Sequence, residues 1–200
     1  MSARLIFIVA AAFLIGAVGA VFMRGGFEPV TMTSGKALIG GPFTLTSHRG
    51  ETVTHKDFHG KIMLVSFGYT YCPDICPAEL SVISSALDKL GDKSGNVAPI
   101  FITIDPERDT VEQLGKYMSS FHPEIVALTG AEEAIKEAAQ SYRVYYAKSQ
   151  NASGDDYLMD HSTFIYIMGP NGEYVTHVGY GVTAEELADK LRQAIDETTV

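Results

Sequence analysis

Hydrophobic and polar positions predict an alternation of strands and helices from residue 42 onward. Short apolar runs typical of buried strands stand between segments whose apolar residues recur every three or four positions, as in amphipathic helices. We predict a hairpin of 43–45 with 51–53, strands at 62–67, 98–104, 125–128, 143–147, 163–168 and 174–178, and helices at 77–90, 111–121, 131–142 and 184–194. This alternation indicates one α/β domain with a layered architecture.

The first 41 residues follow a different pattern. Residues 5–23 are apolar and uncharged, between Arg4 and Arg24. At about 1.5 Å per residue, a helix of that length crosses the hydrocarbon core of a bilayer. We therefore predict an N-terminal membrane anchor at 1–24 in preference to a signal peptide, although the small residues at 18–20 would suit cleavage. Residues 25–41 are predicted to be a flexible linker, and 42–200 the globular domain.

The net charge of the chain argues against one class of partner, and its N-terminal sequence indicates its location. Two hundred residues carry a formal net charge of −9, which argues against a nucleic-acid surface, because such a surface needs clustered Lys and Arg. No Arg- and Ser-rich presequence precedes Leu5, so an organelle transit peptide is not indicated. We predict a single-pass protein of a bacterial inner membrane, with its domain in the periplasm.

Both cysteines of the chain lie in YTYCPDICPAEL, residues 69–80, and each precedes a proline. Proline disfavours the helical conformation in the residue before it. We therefore expect neither Cys72 nor Cys76 inside a helix, with Cys76 as the N-cap, Pro77 as the first helical residue and Glu79 completing a capping box. A helix N-terminus lowers the pKa of a nearby thiol. A structural disulfide, a redox pair and a metal site all fit these two thiols.

Among six histidines, His161 is the candidate third ligand. It lies in DYLMDHSTFIYI, between an acidic loop and an apolar strand. In a thioredoxin-like layout, the hairpin beginning at Thr163 lies beside the first strand of the core, which brings His161 toward the cysteines. Two thiolates and an imidazole suit copper, as Cu(I) or Cu(II). A structural zinc site would need a fourth ligand, for which Asp160 is the candidate.

Four segments, in order, resemble the Sco/SenC family of membrane-tethered copper chaperones. They are GYTYCPDICPAEL, FITIDPERDT, YRVYY and DYLMDHSTFIYIMGPNGEY. The resemblance implies a thioredoxin-like fold, a central mixed sheet flanked by helices, with copper ligands Cys72, Cys76 and His161. It also implies a role in assembling the binuclear copper centre of cytochrome c oxidase subunit II, by delivering copper, by reducing the cysteines of the acceptor, or both. We expect a metallochaperone rather than an enzyme, with subunit II or another copper-site acceptor as its partner.

The alternative function is a thiol–disulfide oxidoreductase. In that case Cys72 and Cys76 would be catalytic and would reduce the copper-ligand cysteines of the acceptor. Further partners on either hypothesis are a periplasmic copper donor and a thiol reductant. A simple dithiol exchanger does not require His161, so this residue separates the two hypotheses.

Neighbouring residues carry weaker expectations. Asp105 ends a strand and could orient the copper site or dock a partner. Asp109 is expected to cap the following helix, with Glu112 completing a capping box. Met159 could contact copper, but core packing explains it equally well. Tyr69 and Tyr71 are expected to point to opposite sides, and to shield the site or contact the acceptor.

Overall fold

The computed structural model describes residues 38–149 and 157–198. The predicted anchor at 1–24 and most of the predicted linker at 25–41 lie outside these residues. Within the described ranges no helix is long and apolar enough to span a bilayer.

A mixed β-sheet forms the centre of the domain. Within the described residues it has seven strands in the order β2-β1-β5-β4-β3-β8-β9, where β1 is Thr44–Ser47, β2 Thr52–Thr54, β3 Ile62–Gly68, β4 Val97–Thr103, β5 Val126–Thr129, β8 Phe164–Met168 and β9 Tyr174–Gly179. A separate antiparallel ribbon joins β6, Tyr146–Lys148, to β7, Met159–His161. Strands β3, β4 and β5 are parallel. Their carboxyl ends therefore meet at one edge of the sheet, where the loops that carry the candidate site begin.

Four α-helices cover the sheet in the described part of the chain: α1 Ile75–Leu90, α2 Val111–Met118, α3 Glu132–Ser141 and α4 Ala184–Thr198. Side chains of β3 alternate between two hydrophobic cores. Leu64 packs with α1, α2 and α4, whereas Met63 and Val65 pack with α3 and with Met159 of the ribbon. Burial of a side chain such as Leu64 contributes roughly 2 kcal/mol. The predicted central sheet flanked by helices is confirmed.

Most predicted elements are present, with shifted ends. The strand predicted at 143–147 begins only at Tyr146. The helix α3 ends at Ser141, and the left-handed conformation of Arg143, with φ 58°, follows its C-terminus. The amides of Arg143 and Val144 donate to the carbonyls of Gln140 and Ala139, the pattern of a Schellman motif. The helix predicted to reach residue 121 stops at Met118. The three-residue strand β7 was not predicted.

Candidate metal centre

The cysteine loop connects β3 to α1 and differs from its prediction in one respect. Helix α1 begins at Ile75 after Asp74, so the assignment of Cys76 as an N-cap outside the helix is wrong. A proline in the first turn removes no intrahelical hydrogen bond, since the first amides of a helix have no partner within it. Pro77 therefore fits as the third helical residue. Glu79 lies in the second turn, so the predicted capping box is also wrong.

Cys72 takes part in the start of the helix. The backbone N–H of Cys76 donates to Cys72 Sγ at 3.4 Å, and the N–H of Cys72 donates to the Tyr69 carbonyl at 3.3 Å. The sulfur of Cys72 thus accepts one of the unpaired helix amides. Both cysteines are free thiols; Cys76 is buried and Cys72 is partly exposed. The loop therefore presents one buried and one accessible sulfur.

Gly68 makes the position of Cys76 possible. A Cβ at residue 68 would lie 2.9 Å from Cys76 Sγ and 2.8 Å from the ring of Phe101. Glycine at the end of β3 therefore provides the space that the buried sulfur occupies.

His161, at the end of β7, meets this loop from the ribbon. Its Nε2 lies 3.6 Å from Cys76 Sγ, and its Nδ1 lies 2.9 Å from the carbonyl oxygen of Ser162. Since a carbonyl only accepts, Nδ1 carries a proton and donates it to Ser162. Nε2 is consequently the nitrogen that faces the thiols and can ligate a metal.

Hydrogen bonds and burial shift the pKa values of Cys72, Cys76 and His161 in different directions. A hydrogen bond from the Cys76 thiol lowers the pKa of Cys72, despite the opposing effect of burial, and His161 lowers it further. The same bond, together with burial, raises the pKa of Cys76. Burial alone would lower the pKa of His161, but hydrogen bonds to Cys72 and Ser162 raise it. Without metal, a Cys72 thiolate is thus stabilised by a Cys76 thiol and an imidazole.

The site is open rather than closed. A surface cavity of about 380 Å³ is lined by Cys72 and His161 together with Leu158, Met159 and Asp160. Over the described ranges, no group of three or more His, Cys, Asp or Glu side chains is already arranged to hold a metal ion. The structure therefore brings the two cysteines and His161 into one place without a finished coordination shell.

Asp160 and Met159 flank His161 on β7. The side chain of Asp160 is exposed and that of Met159 is buried in the core. Successive side chains of a strand point to opposite faces, so the side chain of Asp160 projects away from that of His161, although the residue also lines the cavity. This placement disfavours Asp160 as a fourth zinc ligand. The packing interpretation of Met159 is confirmed.

The aspartates of DPERDT have roles that their sequence neighbours do not show. Asp109 does not cap α2, since Thr110 is the N-cap and accepts from the amide of Gln113. Instead the buried carboxylate of Asp109 accepts from the N–H and hydroxyl of Thr70 and from the hydroxyl of Thr103. The expected cap and its capping box are wrong because these partners come from the loop after β3 and from the end of β4. Glu112 pairs with Lys116 on the surface.

Asp105 is buried and links two segments. Its carboxylate accepts from Arg108 Nε at 2.6 Å and from the hydroxyl of Tyr157 at 2.7 Å. The guanidinium of Arg108 stacks on Tyr157 and Tyr71, with its Cζ 3.6 and 4.6 Å from the two ring centres. Asp105 and Arg108 thus connect the loop after β4 with the cysteine loop and with the segment leading into β7.

The aromatic residues of the loop alternate as expected, with Tyr69 2% and Tyr71 50% exposed. Sequence reasoning missed Arg108 and Tyr157, and it misassigned Glu79. Burial raises the pKa of Glu79 to about 7, against the opposing effect of His161. A carboxylate one turn after Cys76 in a helix was the signal that could have placed Glu79 at this site.

Comparison with known proteins identifies the family to which this chain belongs. The SCO1/SenC family model matches residues 31–196. The chain belongs to the SCO1/SenC family. It is 47% identical over 164 residues to the SCO1 homolog 1 protein of Arabidopsis thaliana, an alignment that covers 82% of this chain and 49% of the relative. The chain therefore spans about half the length of that relative.

Two solved ScoI structures are similar to this chain. The copper-bound structure of Arabidopsis thaliana ScoI has a TM-score of 0.74 and 45% identity, covering 80% of this chain and 99% of that one. The copper-bound structure of Bradyrhizobium japonicum ScoI has a TM-score of 0.73 and 43% identity, covering 78% and 99%. The resemblance found in the sequence and the predicted thioredoxin-like fold are confirmed.

Proposed function

We propose that this protein is a copper chaperone in the assembly of cytochrome c oxidase, and that it binds one copper ion through Cys72, Cys76 and His161. The observation that carries the proposal is the convergence of both cysteines with His161, whose Nε2 lies 3.6 Å from Cys76 Sγ. Copper in the two similar ScoI structures supports the choice of metal.

The ligand chemistry fits a cargo that is bound and then released. Thiolates and imidazole are ligands for copper, and three ligands leave one side of the ion open. The hydrogen bond to Cys72 and burial raise the pKa of Cys76, so binding copper as a thiolate requires release of the Cys76 proton. Cys72 is partly exposed, so a ligand from an acceptor can approach there.

The acceptor that we propose is the binuclear copper centre of cytochrome c oxidase subunit II, as the family resemblance implies. Leu158 and Tyr71 are each 50% exposed, and Leu158 lines the cavity together with Cys72 and His161. Exposed apolar side chains next to a ligand-exchange site are suited to a transient protein contact. An anchor at 1–24 would confine donor and acceptor to one membrane and raise their effective concentration.

A second function, thiol–disulfide exchange, is favoured by the different protonation tendencies of the two cysteines. The Cys72 thiolate would attack one sulfur of an acceptor disulfide and release the other as a thiolate. Cys76 would then lose its proton and attack Cys72 in the mixed disulfide. The products would be a reduced acceptor and a Cys72–Cys76 disulfide.

Transfer to a soluble subunit II copper domain separates the two functions. The Cu(I)-loaded full-length chain is mixed with the reduced, metal-free acceptor, and the metal-free chain is mixed with the oxidised acceptor. We expect copper transfer in the first reaction, and its loss when His161→Ala protein is treated with copper in the same way. Disulfide reduction by wild type and His161→Ala alike, without copper transfer by either, would establish the oxidoreductase instead.

A further inference from the structure

Tyr69 contacts both halves of the proposed centre. Its carbonyl accepts from the N–H of Cys72 at 3.3 Å, and its side chain belongs to the same buried cluster as Cys76. Its side chain is 2% exposed and points toward the ribbon. The cysteine loop therefore fixes the position of Tyr69 independently of any contact that its hydroxyl makes.

The same residue reaches the strand that carries His161. The backbone N–H of Met159 donates to the Tyr69 hydroxyl at 3.1 Å. The rings of Tyr69 and His161 meet edge to face, with centroids 6.1 Å apart and planes at 84°. Met159 and His161 point to the same side of β7, because they are two residues apart in a strand.

Strand β7 needs such support. It has three residues, and within the described residues its ladder partner is β6, with Tyr146 opposite His161 and Lys148 opposite Met159. An isolated two-stranded ribbon is marginally stable in water. A contact that joins β7 to the rigid end of β3 therefore restricts where His161 can lie relative to the sulfurs.

We propose that Tyr69 is a positioning residue, whose hydroxyl holds β7 so that His161 stays within copper-binding reach of Cys72 and Cys76. This inference rests on the proposed copper site. Replacement of Tyr69 by phenylalanine keeps the ring and the backbone bond to Cys72. It removes the acceptor of the Met159 N–H, and the net value of one hydrogen bond corresponds to about a fivefold change in an equilibrium constant.

The test uses Tyr69→Phe in the full-length chain, with Tyr145→Phe as the matched control. Tyr145 precedes the ribbon and is 65% exposed, so its hydroxyl should not matter. In the metal-free proteins we expect the amide of Met159 to exchange with solvent about fivefold faster in Tyr69→Phe only. In a chelator competition, Tyr69→Phe should bind Cu(I) about fivefold more weakly than wild type or Tyr145→Phe.

A double-mutant cycle with His161→Ala distinguishes positioning from a general structural effect. If Tyr69 acts through His161, Tyr69→Phe should cause no further loss of copper affinity once His161 is replaced. Equal losses in both backgrounds would overturn the inference, as would wild-type exchange of the Met159 amide in Tyr69→Phe. If wild type and His161→Ala bound copper equally well, the copper site itself would be wrong, and the metal-free exchange would still decide whether Tyr69 holds β7.

Discussion

Cys72 and Cys76 differ chemically although they lie in one loop. Cys72 is partly exposed, accepts the N–H of Cys76 and is hydrogen-bonded by the Cys76 thiol, which lowers its pKa. Cys76 is buried beneath it, against the space left by Gly68, and its pKa is raised. The pair is therefore asymmetric, with a thiolate at the surface and a thiol inside.

This asymmetry predicts the pH dependence of alkylation in the reduced, metal-free chain. With a lowered pKa, Cys72 stays a thiolate as the pH falls from 8 to 6, so its rate of reaction with iodoacetamide should stay nearly constant. An ordinary thiol with a pKa near 8.5 would slow about tenfold per pH unit over this range. Mass spectrometry of the peptide 69–80 measures the rate at each cysteine.

The urea-unfolded chain is the control, since both thiols should then follow the ordinary dependence. Cys76 should remain unmodified in the folded protein under the same conditions. A tenfold fall of the Cys72 rate per pH unit in the folded chain would contradict the asymmetry.

Asp109, in the loop after β4, connects this loop to the cysteine loop after β3. Its carboxylate accepts from Thr70 in the cysteine loop and from Thr103 at the end of β4, with oxygen–oxygen distances of 2.6 Å to both hydroxyls. Gln113 of α2 also donates to the Thr70 hydroxyl. The start of the cysteine loop is thus tied to the neighbouring strand and helix.

Asp109→Ala should lower the free energy of unfolding by about 3 kcal/mol, because it leaves buried donors of Thr70 and Thr103 without their acceptor. Urea denaturation measures this change. Asp92→Ala, at an exposed residue of the turn after α1, is the control and should change stability by no more than about 0.5 kcal/mol. Equal stabilities of the two variants would show that Asp109 does not anchor the loop.

Local patterns predicted the large sheet well, but not the contacts that complete the site. Apolar runs such as β3 and β4 identify buried strands directly, because all of their side chains are buried. Strand β7 is only three residues long and carries Asp160, so periodicity could not reveal it. The preference of a residue before proline for a non-helical conformation wrongly predicted Cys76 outside the helix. Proline is tolerated in the first turn of a helix, because the amides there have no partner within the helix. Asp109 pairs with a threonine 39 residues away, which no local signal indicates.

The molecule as a whole combines a described domain with a predicted anchor that lies outside the described residues. The cysteines and His161 were chosen from the sequence, and the structure brings them together from segments 85 residues apart. Their role in copper binding and the attachment to a membrane are proposals. Copper binding can be measured without a membrane, and membrane attachment can be measured without copper, so each has its own test.

The anchor predicts how the protein fractionates. The full chain should sediment with membranes, resist alkaline carbonate and dissolve in detergent, because about twenty apolar residues partition into the bilayer. A chain that lacks residues 1–24, led to the same compartment by a cleavable signal, should be soluble and should keep its copper affinity. Recovery of the full chain in the soluble fraction, or a mass showing cleavage near residue 20, would contradict a retained anchor.

Copper binding by the reduced full-length chain tests the central claim most directly. In a Cu(I) competition titration, wild type should bind one copper per chain, and Cys72→Ser, Cys76→Ser and His161→Ala should each bind at least about a hundredfold more weakly while retaining the fold by circular dichroism. Wild-type affinity and stoichiometry in His161→Ala would contradict the three-ligand copper site.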